Sequence, residues 1–288
     1  MQGTVATPEE SEAVLQMVAH IRARTARAAV FRQSLTSAAG SPLAADIVAG
    51  HGQDLVTHAI MWMFSADGHL LTLAGAFSTG DLQAEGPYSL LRGAAEPLAR
   101  LTWLFDDKAG TSKRYQRLLG ERRENQFELG KLKAFSKGAE ARIQHIADLA
   151  TKSGFKRAPR PDATGLFRRL LKEAHADPAK DPLGEVLYRV LSGHAHALMW
   201  AAFMGQSKIV AKPREGEPGL ALIELDLYLF LKLLEPVLRM YDVAQAHWCR
   251  MHGVDVVTWK DVLAELPASG RLGIEFRRPG SLAEQLNL

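Results

Sequence analysis

The sequence predicts an all-α fold, a helical bundle formed by one domain over residues 1–288. Three observations carry that prediction. Leu and Ala dominate, aromatic residues make up only 7% and runs of β-branched residues are scarce, a composition that favours helix over sheet. Apolar residues recur at three- and four-residue spacing in one segment after another, the period of a half-buried helix. Proline, glycine and capping residues punctuate those segments where helices would start and stop.

The elements follow in order. Thr7-Pro8-Glu9-Glu10 is a helix start: a cap, a proline, then acids at the positive end of the dipole. That helix runs to about Ala39, with Val14, Val18, Ile21, Ala29 and Phe31 on its apolar side. Ser41-Pro42 opens a second helix that reaches roughly Phe64 and is broken by Asp67-Gly68. A short apolar helix covers His69 to Phe77, and Gly80 to Pro87 is a loop. Tyr88 to Phe105 is a strong helix with Pro97 inside it, where a kink is expected. Thr111 to about Thr151 reads as one long, charged helix whose apolar positions include Leu118, Leu119, Phe127, Leu129, Leu132, Phe135, Ile143 and Ile146.

The stretch GFKRAPRP, Gly154 to Pro161, is a flexible basic turn. Thr164 to Ala176 is a short helix, and Gly184 to Phe203 a longer one behind the Pro182-Leu183-Gly184 turn. Lys208 to Gly219 reads as a surface loop, and Leu220 to about Met251 as a long apolar helix bent at Pro236. The tail, residues 267–288, is turn-rich with a short amphipathic piece at Ser281 to Leu288. There is no internal repeat, no low-complexity tract and no clear domain boundary.

With 47% hydrophobic and 23% charged residues the chain has an ordinary globular composition. Its net charge of +3 and pI near 9.0 permit an anionic partner without demanding one. The single cysteine, Cys249, excludes an intrachain disulfide framework and fits a reducing, cytoplasmic setting. Glu9, Glu10 and Glu12 stand where a signal peptide would need an apolar run. The longest apolar stretches, Ala59 to Phe64 and Leu70 to Phe77, are interrupted by Asp67, Gly68 and His69, so no membrane partner is expected.

Chemistry points first to GEVLYRVLSGHAHALMWAAF, the helix that begins at Gly184. Tyr188, Arg189, Ser192 and His196 recur on one face, and Arg189 and His196 are nearly eclipsed two turns apart. An arginine and a histidine held this way can serve a phosphate, one with charge and the other by proton transfer. The competing account makes His196 a hydrogen-bonded histidine beside Tyr188 or Ser192, with Arg189 paired to an acid such as Glu96. His194 is the alternative acid–base group. Arg92, Glu96 and Arg100 form an i, i+4, i+8 ladder that either adds Arg92 and Arg100 to the anion site or ties two helices together.

These residues also carry a resemblance. Arg189-x6-His196, or Arg189-x4-His194, resembles the R-x(4–6)-H signature of HEPN-like domains, all-helical modules that often dimerise and often cleave RNA. Tyr188-x3-Ser192-x3-His196 is similar to a divergent HEPN-like branch found in many bacterial proteins. So are the helix LLRGAAEPLARLTWLFDD and the charged helix containing ERRENQ and LGKL. Val190 stands where the family commonly has a polar residue. The resemblance implies a HEPN-like core with additional N- and C-terminal helices, a homodimer, RNA as partner and metal-independent cleavage without a cofactor. It places proton transfer on His196 and phosphate charge on Arg189, with Tyr188, Ser192, Arg92 and Arg100 around the substrate. A non-catalytic HEPN-like binding or dimerisation module is the alternative.

Two further constellations point to metals. His51, Asp54 and His58 share a helical face and supply metal-ligand chemistry, against the plainer account of a solvated polar stripe. Asp106-Asp107 resembles the aspartate-rich start of helical terpene synthases, which implies Mg²⁺ gripping a diphosphate. The third acid of that pattern is replaced by Lys108-Ala109-Gly110. Lys108, Lys113, Arg114, Arg117, Arg122, Arg123, Lys131, Lys133 and Lys137 form a basic run diluted by Glu121, Glu124 and Glu128. Lys152, Lys156, Arg157, Arg160, Arg168 and Arg169 form the cleaner electrostatic footprint.

Overall fold

Apolar periodicity accounts for the helices, while several of their boundaries are set by glycine turns and tertiary contacts. A computed structural model describes residues 8–79, 86–156, 162–174, 182–196, 207–209, 221–223 and 227–264, together with Pro159 and Leu225. Among the described residues the fold is all-α: α1 (Pro8–Ser34), α2 (Pro42–Val48), α3 (Gly52–Thr79), α4 (Gly86–Leu104), α5 (Thr111–Gly130), α6 (Ser136–Lys152), α7 (Ala163–Ala174), α8 (Pro182–Ala195), α9 (Leu227–His252) and α10 (Val256–Ala264). One small antiparallel pair accompanies them, β1 (Ser207–Ile209) against β2 (Ala221–Ile223), with Lys208 opposite Leu222. It brackets the stretch expected to be a surface loop.

Helix α4 is the hub. It packs on α3, α7, α8 and α9, and eleven of its nineteen residues are buried, from Pro87 to Leu104. The sequence drew attention to α8 instead, but α8 lies against α4 and α7. Pro97 sits buried inside α4, and its missing N–H leaves the Gly93 carbonyl without its helical donor. Gly93 is also where the His69 ring of α3 lies directly on the backbone: a Cβ there would stand 2.6 Å from the imidazole. The main core joins α1, α3, α4, α7, α8 and α9 through Ile21, Leu70, Leu98, Phe167, Leu191 and Leu234, all fully or almost fully buried. A satellite of Leu119, Ile146 and Ala150 closes α5 on α6.

Several boundaries differ from expectation, each for a local reason. Helix α1 stops at Ser34, not near Ala39, because the Ala38 N–H is taken by the His252 carbonyl at 2.9 Å. The helix expected from Ser41 to Phe64 is two helices. Gly50, at φ +84°, closes α2 with bonds from its own N–H to Ile47 O and from His51 N–H to Asp46 O, the Schellman stop that glycine allows. Helix α3 then runs straight through Asp67-Gly68, because Asp67 faces inward and accepts hydrogen bonds from the Tyr241 hydroxyl at 2.6 Å and from Arg32. The single long helix from Thr111 is a hairpin of α5 and α6. Tight i→i−3 bonds at Lys131 and Leu132 end α5, and the reversal buries Leu119 against Ile146. Gly154, at φ +76°, terminates α6 in the same manner as Gly50 ends α2. The tail 267–288 and most of the 157–161 turn lie outside the described residues.

Among the described residues no helix is long and apolar enough to cross a membrane.

Candidate functional site

The face where α4 meets α8 gathers the residues singled out in sequence. Leu187, Val190 and Leu191 bury one side of α8, which turns Arg189 outward. Tyr188 is half-buried and packs edge-on against Phe167 of α7, ring centres 5.2 Å apart. The His196 N–H bonds the Ser192 carbonyl at 3.0 Å, so helical bonding continues one residue past Ala195 and His196 stays exposed on that side.

The guanidinium that meets His196 comes from α4. Arg92 Nη1 lies 3.0 Å from His196 Nε2, and the Arg92 guanidinium carbon sits 5.9 Å from the Tyr188 ring centre. Arginine only donates, so Nε2 accepts and Nδ1 carries the ring proton in this arrangement. Arg189 and His196 are seven residues apart, hence about 10 Å along the axis. The two share a side of the helix, while direct contact belongs to Arg92 and His196.

The other predicted members part company. His194 is 3% exposed and stacks face to face on Tyr88, ring centres 3.9 Å apart and planes within 14°. It is therefore an interior group rather than an acid–base group facing solvent. Arg100 is held two turns from Arg92: Nη1 donates to Glu121 at 2.9 Å and Nη2 to Glu96 at 3.4 Å. Glu96 in turn lies 3.8 Å from Arg92. The ladder is thus a chain of polar contacts from buried Glu121 to exposed His196, and Arg100 serves its interior end rather than a substrate. Burial pushes the Glu121 carboxyl up to about 7 despite Arg100 beside it.

The metal constellations are tied up by other partners. His58 Nδ1 bonds the Asp54 carbonyl at 2.9 Å, the Asp54 carboxylate pairs with Arg122 at 2.7 Å, and His51 faces Asp46. Among the described residues no group of three or more His, Cys, Asp or Glu converges as a metal site. Asp106 accepts from Arg117 at 3.1 Å and Arg169 at 2.8 Å. Burial raises its pKa, but these two arginines outweigh it and hold the carboxyl below its usual range. Asp107 pairs with Arg250 at 2.8 Å. A diphosphate-gripping role for this pair loses its ligands to those arginines. The basic runs are diluted likewise: Arg114 is buried on Asp46, Lys131 pairs with Glu128 at 2.7 Å, and Arg157 and Arg160 lie outside the described residues.

Besides the Asp67–Tyr241–Arg32 cluster, sequence reasoning missed two further networks with buried members. Arg114 grips Asp46 through Nε at 2.7 Å and Nη2 at 3.1 Å, with both residues almost completely buried. His247 bonds the Phe105 carbonyl through Nδ1 at 3.0 Å and Glu173 through Nε2 at 2.9 Å, joining the end of α4 to α7 and α9. Asp46 stands alone among apolar neighbours in PLAADIV, and an isolated acid in such a helix was the available signal. No family model, curated protein or solved structure matches this chain.

Proposed function

We propose that the α4–α8 face binds an RNA phosphodiester and cleaves it without metal, as the HEPN-like resemblance implies. The observation that supports this most is the 3.0 Å approach of Arg92 to an exposed His196, with Arg189 on the same side of α8. An incoming phosphate competes for the Arg92 guanidinium, whose planar fork suits it. Released from Arg92, the Nε2 lone pair takes the proton of the ribose 2′-hydroxyl. The 2′-oxygen bonds to phosphorus, the bond to the 5′-oxygen breaks, and that oxygen leaves as a hydroxyl with the proton that His196 has taken up. A cyclic phosphate remains. Arg92 and Arg189 stabilise the added negative charge. In this reading a second copy brings a facing site, so the active species is a homodimer.

One observation favours a second reading, a helical module that binds without turnover. The lone pair of His196 is already occupied by Arg92, and Glu96 flanks that arginine at 3.8 Å. The two readings separate in one assay. Single-stranded RNA is incubated with the protein in EDTA, alongside His196→Ala and Arg92→Gln. Cleavage to cyclic-phosphate ends that both variants abolish, with melting curves unchanged, supports the nuclease. RNA retention without any turnover supports the module, and neither retention nor turnover removes both. Sedimentation velocity reads the dimer.

A further inference from the structure

Helix α3 has a side that nothing in the described chain covers. Its inner face packs on α1 and α4, yet Met61, Phe64 and Leu71 on the outer side are 63%, 59% and 45% exposed. Thr57, Met61, Phe64, Gly68, Leu71 and Gly75 follow one another at alternating steps of four and three residues, the spacing of a seam between two helices. The solvent side of a surface helix normally carries charge. Here the one Asp, Glu, Lys or Arg between Leu55 and Thr79 is Asp67, which points inward to Tyr241 and Arg32.

The two glycines of the seam have no internal cause. Gly68 and Gly75 stand within α3, where glycine weakens a helix relative to alanine. A Cβ added at either would meet nothing within 4 Å, so no neighbour in the described chain demands their smallness. Glycine on an open helix side lets a second backbone come close. The exposed Met61, Phe64 and Leu71 on the same seam supply the apolar surface that such a neighbour would cover.

The order of sizes indicates which helix docks there. Bulk lies in the first half of the seam, at Met61 and Phe64, and the gaps lie in the second, at Gly68 and Gly75. A parallel copy of α3 would set bulk on bulk and gap on gap. An antiparallel copy crossing at Gly68 sets Met61 opposite Gly75 and brings Gly68 to Gly68, the reciprocal contact of a two-fold interface. The same register carries Leu71 of the second copy to the height of residue 65. A hollow of about 120 Å³ opens beside that point, lined by Ala29 of α1, Ile60, Met63 and Phe64 of α3 and Trp248 of α9. From Thr57 to Gly75 the seam runs about 27 Å, and with the adjoining edge of α1 it is about 20 Å wide. That gives roughly 500 Å² on each copy, and the roughly 1,000 Å² in all that a specific interface needs.

We propose that two copies of this chain pair through α3, antiparallel about Gly68. The seam shares no residue with the α4–α8 face and stands whether or not that face cleaves RNA. An interface at the lower size limit is a reversible one, with a dissociation constant on the order of 10 µM.

Sedimentation velocity of the full-length chain from about 1 to about 200 µM should show monomer passing into dimer. Gly68→Arg, whose side chain has open space in the single chain, should weaken pairing about tenfold or more while the melting curve of the dilute protein holds. Gly68→Ala should raise that melting curve and still weaken the dimer, a combination that a merely exposed glycine would not give. Phe127→Lys, at a comparably exposed apolar position on α5, should leave pairing unchanged. On mild oxidation Gly68→Cys should crosslink to its own copy, since close two-fold contact brings the paired Cα atoms within disulfide reach. Met61→Cys should crosslink only when mixed with Gly75→Cys, and native Cys249 is buried and does not compete. The proposal is overturned by a chain that stays monomeric over the whole range, by a dimer that Gly68→Arg leaves intact, or by Met61→Cys crosslinking to itself, the mark of parallel pairing. The first of these is read on the unaltered protein, so the proposal can fail without any variant having to fold.

Discussion

Glu121, at the buried end of the polar chain through Arg100, offers the sharpest test of what its burial costs. Its carboxyl is fully buried, one oxygen accepts from Arg100 at 2.9 Å, and the other has no hydrogen-bond partner. Burial raises its pKa from 4.5 to about 7, with Arg100 opposing the shift. A raised carboxyl pKa means the folded state holds the proton more tightly than the unfolded chain. Stability therefore falls as pH rises from about 4.5 to about 7, and the full cost is present above that window. At about 1.4 kcal/mol per unit, the ionised carboxylate costs about 3 kcal/mol at pH 8. Glu121→Gln keeps the shape and removes the charge. It should match the wild type at pH 4, below both pKa values, and exceed it by about 3 kcal/mol at pH 8, roughly 6 to 12 °C in Tm for a chain of this size. Urea unfolding of both proteins at the two pH values measures this, and the difference between them cancels every other titrating group. A variant equally destabilised at both pH values would refute the reasoning, because it would mean the ionised pair with Arg100 stabilises the fold.

The remaining predictions concern the two histidines of α8, the α2–α3 turn and the buried Asp46 pair. His194→Ala removes the ring stacked on Tyr88 and should cost about 2–3 kcal/mol in denaturant unfolding, whereas exposed His196→Ala should stay within about 0.5 kcal/mol. Equal effects would mean the two rings are not placed as described. Gly50→Ala has open space for its Cβ but sits at φ +84°, so it should cost about 1 kcal/mol through the backbone alone. Gly52→Ala has an ordinary φ but puts its Cβ 2.6 Å from the Ile47 backbone nitrogen, and should cost more than Gly50→Ala in the same melting assay. Arg114→Met strands Asp46 in the interior and should cost about 3–5 kcal/mol; adding Asp46→Asn should recover part of it, a non-additivity that a double-mutant cycle reads directly.

Helix was legible from periodicity and composition, and α4 and α7 fell close to their expected spans, whereas the helix expected from Leu220 starts at Leu227, after strand β2 has taken Ala221–Ile223. Boundaries failed where tertiary contacts outvoted local signals. Asp67-Gly68 has the sequence of a helix stop, yet Tyr241 and Arg32, distant in the chain, hold Asp67 inside a continuous helix. Gly130 carries little warning that α5 reverses there, since the reversal is driven by burial of Leu119 on Ile146. At the α4–α8 face, Arg189 and His196 are both exposed, and their spacing along α8 puts them on one side. The partner of His196 comes from 104 residues earlier, a pairing that no periodicity within α8 encodes. His194 and His196 differ by two positions, which on a helix is enough to send one ring to the core and the other to solvent.

Much of the positive charge on α5 is taken up by acids on other elements. Helix α5 carries most of the run expected to track a nucleic acid, yet three of its four arginines turn toward acids on other elements: Arg114 to Asp46, Arg117 to Asp106, Arg122 to Asp54. Arg100 is drawn inward by Glu121 in the same way. Each such pair fixes the angle between two helices, so the charge that would attract phosphate at long range is used to orient the bundle. RNA contact by this chain would then rest on a few groups along the α4–α8 edge. Each single-strand phosphate neutralised lowers log K by about 0.7 per decade of salt, so a small contact set implies a shallow salt dependence. A steep one would require those internal pairs to open, and the helices they orient to move with them.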